Sequence, residues 1–214
     1  PPVPGHSFVL ERDRAFDPAT GTALIPLDQS TALGLSFPAT TPLVLASYAR
    51  ILAKDTLWHK VCASTVCGYV IEGGGWSAQG DDVIEWCEGD VFCFPGGAPI
   101  THVSGNTDTV LWLVTNEPQL AFERFSPPEP NAALVECAHF PAHEIQRELE
   151  VADAKLSVRP SASSREASAQ VPLHASCIWL NRSLQPTVAR SATTIATVVF
   201  RMSPPGQNSL QTSL

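Results

Sequence analysis

The sequence predicts an all-β domain of sandwich or jelly-roll type with one accessory helix. Three observations carry this. Short apolar runs rich in Val, Ile, Trp and Phe recur between glycine, aspartate and asparagine corners. Gly89-Asp90-Val91-Phe92-Cys93-Phe94-Pro95-Gly96-Gly97 places a turn, a strand and a Pro-Gly-Gly corner in one stretch, with His102 and Asn106 just beyond. After a proline-rich connector, Ile145, Leu149, Ala152 and Leu156 fall on one stripe of a helix.

In chain order, residues 1–42 are proline-bearing and weakly periodic, and Asp17-Pro18-Ala19-Thr20-Gly21 reads as a turn. Leu43 to Ile51 begins the regular structure as a strand or a short helix, which pattern alone does not separate. Strands are expected near 66–72, 83–87, 91–94 and 109–115, with Gly73-Gly74-Gly75 and Gln79-Gly80-Asp81-Asp82 as turns between them. Residues 117–136 form the connector, centred on Ser126-Pro127-Pro128-Glu129-Pro130. Pro141 suits the first turn of the helix that follows, and the Ser- and Ala-rich residues 157–170 read as a linker.

Composition bounds the rest. The 214 residues suffice for one large domain, or one domain and part of a second. An apolar fraction of 44% with five tryptophans fills a barrel core, and the net charge of -8 argues against a nucleic-acid partner. No apolar run reaches the ~20 residues of a membrane span, and Pro1-Pro2-Val3-Pro4 does not open a signal peptide. The six cysteines form no C-x-x-C pair and sit among apolar strand residues, as reduced core thiols do in a cytoplasmic protein.

The Gly89 to Asn106 stretch resembles the second conserved motif of the cupin superfamily, small jelly-roll barrels whose histidine at this place usually binds a catalytic metal. Gly89, Pro95, Gly97, His102 and Asn106 match, although four residues stand between Gly97 and His102 where the motif has two. The first cupin motif supplies two histidines and a glutamate, and Tyr69 to Gly75 resembles its closing strand and turn. Counted back from Gly73, the glutamate position holds Val66. The histidine positions hold Lys60 and Cys62, or with the longer spacing His59 and Val61. A transition metal wants three or more such ligands, so the resemblance implies a cupin that has lost its metal, with no cofactor expected.

His174 to Asn181 is similar to the opening strand of a second cupin repeat, as in the gentisate dioxygenase-like bicupins. The stretch Pro186 to Thr194 has no histidine where that group carries its metal motif, and the 43 residues from Pro172 are too few for a full barrel. The organisation read is an N-terminal arm at 1–42, a cupin barrel at 43–125, a connector with helix at 126–171 and a partial second repeat at 172–214. Cupins commonly exchange strands, so the resemblance implies a homodimer.

The candidate catalytic residues are His102, His59 and Glu72, and the candidate substrate-binding residues are Tyr48, Tyr69, Trp86, Trp112 and Cys62. The imidazole of His102 suits proton transfer near neutrality, or it is a hydrogen-bonded relic of the lost metal site. His59 faces the cavity or lies in a loop, the latter being favoured. Cys62 reads first as a packed thiol, and Glu72 and Glu85 as surface acids unless one points inward. The four aromatics are core or pocket lining, and Asp90 is a turn residue. His139 and His143 stand four apart, but Pro141 between them breaks the helical face that zinc would need. His6 and His174 read as surface residues.

Three functions remain. The favoured one is a metal-independent isomerase, cyclase or lyase acting on a small apolar or aromatic molecule. The others are an Fe(II)-dependent, gentisate-like ring-cleaving dioxygenase and a non-catalytic small-molecule-binding cupin.

Overall fold

The computed structural model describes residues 5–129 and 132–157, so the expected second repeat and its linker lie outside the described residues. The elements run α1 (Val9–Phe16), β1 (Ala23–Pro26), α2 (Ser30–Leu33), β2 (Leu45–Ile51), β3 (Thr56–His59), β4 (Thr65–Glu72) and β5 (Gly74–Gln79). They continue β6 (Asp82–Cys87), β7 (Val91–Pro95), β8 (Ile100–Ser104), β9 (Thr109–Thr115), α3 (Glu117–Glu123), β10 (Ala138–Phe140) and α4 (Ala142–Ser157). The strands form a six-stranded sheet, β1-β2-β9-β4-β7-β10, and a four-stranded sheet, β3-β8-β5-β6. Every pairing is antiparallel. This two-sheet, all-antiparallel arrangement is the jelly-roll class that the sequence predicts.

The core lies between the sheets. The larger one contributes Ala49, Ile51, Val66, Val70, Phe92, Phe94, Leu111 and Leu113, and the smaller one Ile84, Trp86 and Ile100. Inward residues alternate along each strand, as the pleat requires. Phe92 has Gly68 as its cross-strand partner. A Cβ on Gly68 would stand 2.1 Å from Phe92 Cζ, so the missing side chain is what admits the ring.

Leu43 to Ile51 resolves to a strand, because Leu45–Ile51 pairs with β9 along its whole length and with β1 on the other side. The N-terminal segment is less of an arm than expected, since β1 joins the larger sheet. The guanidinium of Arg50 ties it down by donating to the carbonyls of Ala15 (3.0 Å) and Thr20 (2.8 Å) and to the Asp108 carboxylate (2.7 Å).

Asp90 does more than turn the chain. Its carboxylate accepts from the backbone N–H of Cys87 (3.0 Å), from that of Ala142 at the start of α4 (2.8 Å) and from His139 Nε2 (3.0 Å). Burial alone would raise its pKa, but these donors outweigh it and hold the carboxyl below its usual range. Asp90→Ala leaves two backbone donors and an imidazole without their acceptor. The expected cost is about 2–4 kcal/mol of unfolding free energy, read from denaturant titrations at neutral pH. A loss below about 0.5 kcal/mol, the scale of an ordinary surface substitution, would contradict this role.

Candidate functional site

The two histidines of the barrel interior come from the four-stranded sheet. His102 on β8 pairs in register with Leu57 of β3 on one side and Ser77 of β5 on the other. His59 lies two residues along β3 from Leu57 and so shares its face. The two imidazole centroids are 6.2 Å apart, and the Phe92 ring lies 6.1 Å from that of His102. His102 and Ser77 are fully buried and His59 nearly so.

A hydrogen-bonded chain fixes His102. Trp86 Nε1, a donor only, gives its proton to Ser77 Oγ at 2.8 Å. Ser77 Oγ lies 2.7 Å from His102 Nδ1. The serine oxygen keeps a second lone pair, so this bond holds the ring in either tautomer and leaves Nε2 as its free edge. That atom and Nδ1 of His59 are both buried without a hydrogen-bond partner among the described residues. Burial first, and then the neighbouring His59, lowers the His102 pKa to about 3. Burial likewise lowers that of His59, against an opposing pull from Glu117. The interior therefore presents two neutral imidazoles near neutral pH. His102 offers Nε2, held in place through Nδ1, to hydrogen-bond a water or hydroxyl.

The other expected site residues scatter. Trp86 points inward, where it holds Ser77. Tyr48, Trp112 and Tyr69 form a cross-strand row on the opposite, outer face of the larger sheet, out of phase with Ala49, Leu111, Leu113 and Val70, and Tyr48 meets Phe16 of α1 edge-on at 6.4 Å. They line no barrel interior. Glu72 ends β4 exposed at a register shift and reaches no imidazole. Cys62 is exposed, donates its N–H to Glu117 Oε1 (2.9 Å) and lines a groove of about 300 Å³ whose walls include neither His59 nor His102. His59, expected in a loop, belongs to a strand and is buried. Ser77 was not visible as a site residue, because Gly73-Gly74-Gly75 reads as a turn although β5 begins at Gly74.

The metal implied by the resemblance does not fit this barrel. Among the described residues no three His, Cys, Asp or Glu side chains converge. Two imidazoles meet, and at the remaining motif positions Val66 is buried and apolar while Lys60 and Cys62 are exposed.

No family model matches the chain. Over 128 residues it is 31% identical to 5-aminosalicylate 1,2-dioxygenase from a Comamonas species, covering 55% of this chain and 32% of that protein. The chain thus spans about a third of that relative's length. Among solved structures, salicylate 1,2-dioxygenase from Pseudoaminobacter salicylatoxidans bound to gentisate superposes with a TM-score of 0.43 at 19% identity, over 51% of this chain and 29% of that one. A variant of the same enzyme reaches 0.49 at 16% identity, over 65% and 49%. The chain resembles the cupin superfamily in motif and in fold. The particular similarity is to a dioxygenase, and it overturns the expectation of a metal-independent isomerase, cyclase or lyase. No described helix is long and apolar enough to cross a membrane.

Proposed function

We propose that the chain serves a ring-cleaving dioxygenase of the salicylate and gentisate type, and that its described barrel is the one that does not hold the iron. The observation that carries the reading is the 31% identity to 5-aminosalicylate 1,2-dioxygenase. The division of labour rests on the interior, where a Trp86-Ser77-His102 chain and one further imidazole stand in place of a three-ligand set. Iron supplies dioxygen activation in such an enzyme when bound. This barrel's own residues bury an apolar core and hold the His102 ring through Ser77 and Trp86. The substrate class is a hydroxylated benzoate.

The test has two arms. The purified chain, given Fe(II), oxygen and 5-aminosalicylate or gentisate, is expected to show no ring opening. A hybrid in which this chain replaces the matched segment of the Comamonas enzyme is expected to retain iron and to open the ring. Turnover by the chain alone, abolished in His59→Ala and His102→Ala, would overturn the division of labour. A folded, iron-loaded hybrid with no oxygen uptake would overturn the dioxygenase reading.

A further inference from the structure

Cys67 on β4 and Cys93 on β7 are direct cross-strand partners, with their sulfurs 3.2 Å apart. The phase of the ladder decides what they can do. Gly96 donates its N–H to Ser64 O at 3.0 Å, and Val70 donates to Asp90 O at 3.0 Å. The pairs 64:96 and 70:90 are therefore hydrogen-bonded ones. Counting in twos from either leaves 67:93 in the non-hydrogen-bonded class, where Cα atoms approach to ~4.5 Å and side chains lie closest. That spacing falls within the span a disulfide bridges.

Both sulfurs lie on the outer face of the six-stranded sheet, because Val66, Val70, Phe92 and Phe94 alternate inward. Cys67 is half-buried and Cys93 buried, so an oxidant reaches the first before the second. The hydrogen bond from Cys93 also lowers the Cys67 pKa. Cys137 packs against the inner core, away from the outer face that carries the two sulfurs, so it does not compete.

We infer that Cys67 and Cys93 form a redox-active dithiol, oxidised by low-molecular-weight disulfides to a bond that staples β4 to β7. The Cys67 thiolate attacks one sulfur of the small disulfide, forming a mixed disulfide and releasing one thiolate. Cys93 gives its proton to solvent, and its sulfur attacks Cys67 Sγ, releasing the second thiolate. The protein loses two electrons, the small disulfide gains them, and two small thiols result.

The test uses the full reduced chain with oxidised glutathione, read by thiol titration, peptide mass mapping and thermal melting. The parent is expected to yield one linked peptide pair, spanning Cys67 and Cys93, beside any glutathione adducts on the exposed Cys62 and Cys87, and to melt about 5–10 °C higher. Cys93→Ala is expected to stop at a glutathione adduct on Cys67. Cys67→Ala is expected to gain neither link nor adduct at Cys93. Retention of all six thiols by the parent, links through other cysteines, or an adduct on Cys93 in the Cys67→Ala protein would each overturn the assignment.

Discussion

Gly96→Ala is expected to leave the chain without a cooperative thermal transition. A Cβ at Gly96 would stand 1.7 Å from the Ala63 carbonyl oxygen, and the obstacle is backbone rather than a side chain that swings away. The Gly96 N–H also donates to Ser64 O at 3.0 Å, so a shift that relieves the clash breaks the β4–β7 pairing where it begins. Gly97 adds a second barrier at the same corner. Its φ is +86°, a region L-residues resist, and its Cβ would lie 2.1 Å from the Pro128 carbonyl oxygen. Gly97→Val should therefore damage folding more than His102→Ala, which empties a buried site without forcing the backbone. Either corner substitution is expected to cost more than about 4 kcal/mol, the range reserved for a blocked backbone or a ruined core. A Gly96→Ala protein melting within a few degrees of the parent would show that the corner relaxes freely.

Acidification is expected to destabilise the protein well above the carboxylate range, and His102 is the main reason. Its folded pKa is near 3, against 6.5 in the unfolded chain. Between those values the unfolded state holds a proton that the folded state refuses, so stability rises with pH there. The penalty sets in as pH falls below about 6.5 and is complete near 3. From about pH 6.5 to about 4.5, His102 alone accounts for about 2–3 kcal/mol. His59, also shifted down by burial, adds in the same direction. Asp90, whose pKa is lowered, adds its own loss only at lower pH, as it takes up a proton. Denaturant unfolding of the parent and of His102→Gln across this window separates the contributions. The variant is expected to lose most of the slope. Parallel pH profiles would mean that His102 takes up its proton in the folded state.

Much of the sheet was legible because half-buried strands carry their period openly. The runs at 66–72, 83–87, 91–94 and 109–115 match β4, β6, β7 and β9 within a residue at each end. Strand β5 was hidden because its opening glycines, Gly74 and Gly75, are turn formers in isolation and act here as strand residues only by pairing with β6 and β8. The loss of β5 concealed Ser77, and with it the chain that holds the His102 ring. His102 itself was legible from the corner motif around it. Tyr48, Tyr69 and Trp112 were misplaced for a different reason. Strands of the larger sheet bury both faces, with β2 buried at nearly every position and β9 at all of them, so apolarity alone does not tell interior from exterior. The favoured function was overturned by the similarity to a dioxygenase, which the residues of this barrel do not signal.

We propose that this barrel belongs to a dioxygenase without carrying its iron. Anaerobic Fe(II) reconstitution of the full chain, followed by desalting and elemental analysis, tests it most directly, with His59→Ala and His102→Ala alongside. The expected result is no stoichiometric iron in any of the three proteins. About one tightly held iron per parent chain, lost in both variants, would place the metal at the two imidazoles and overturn the proposal.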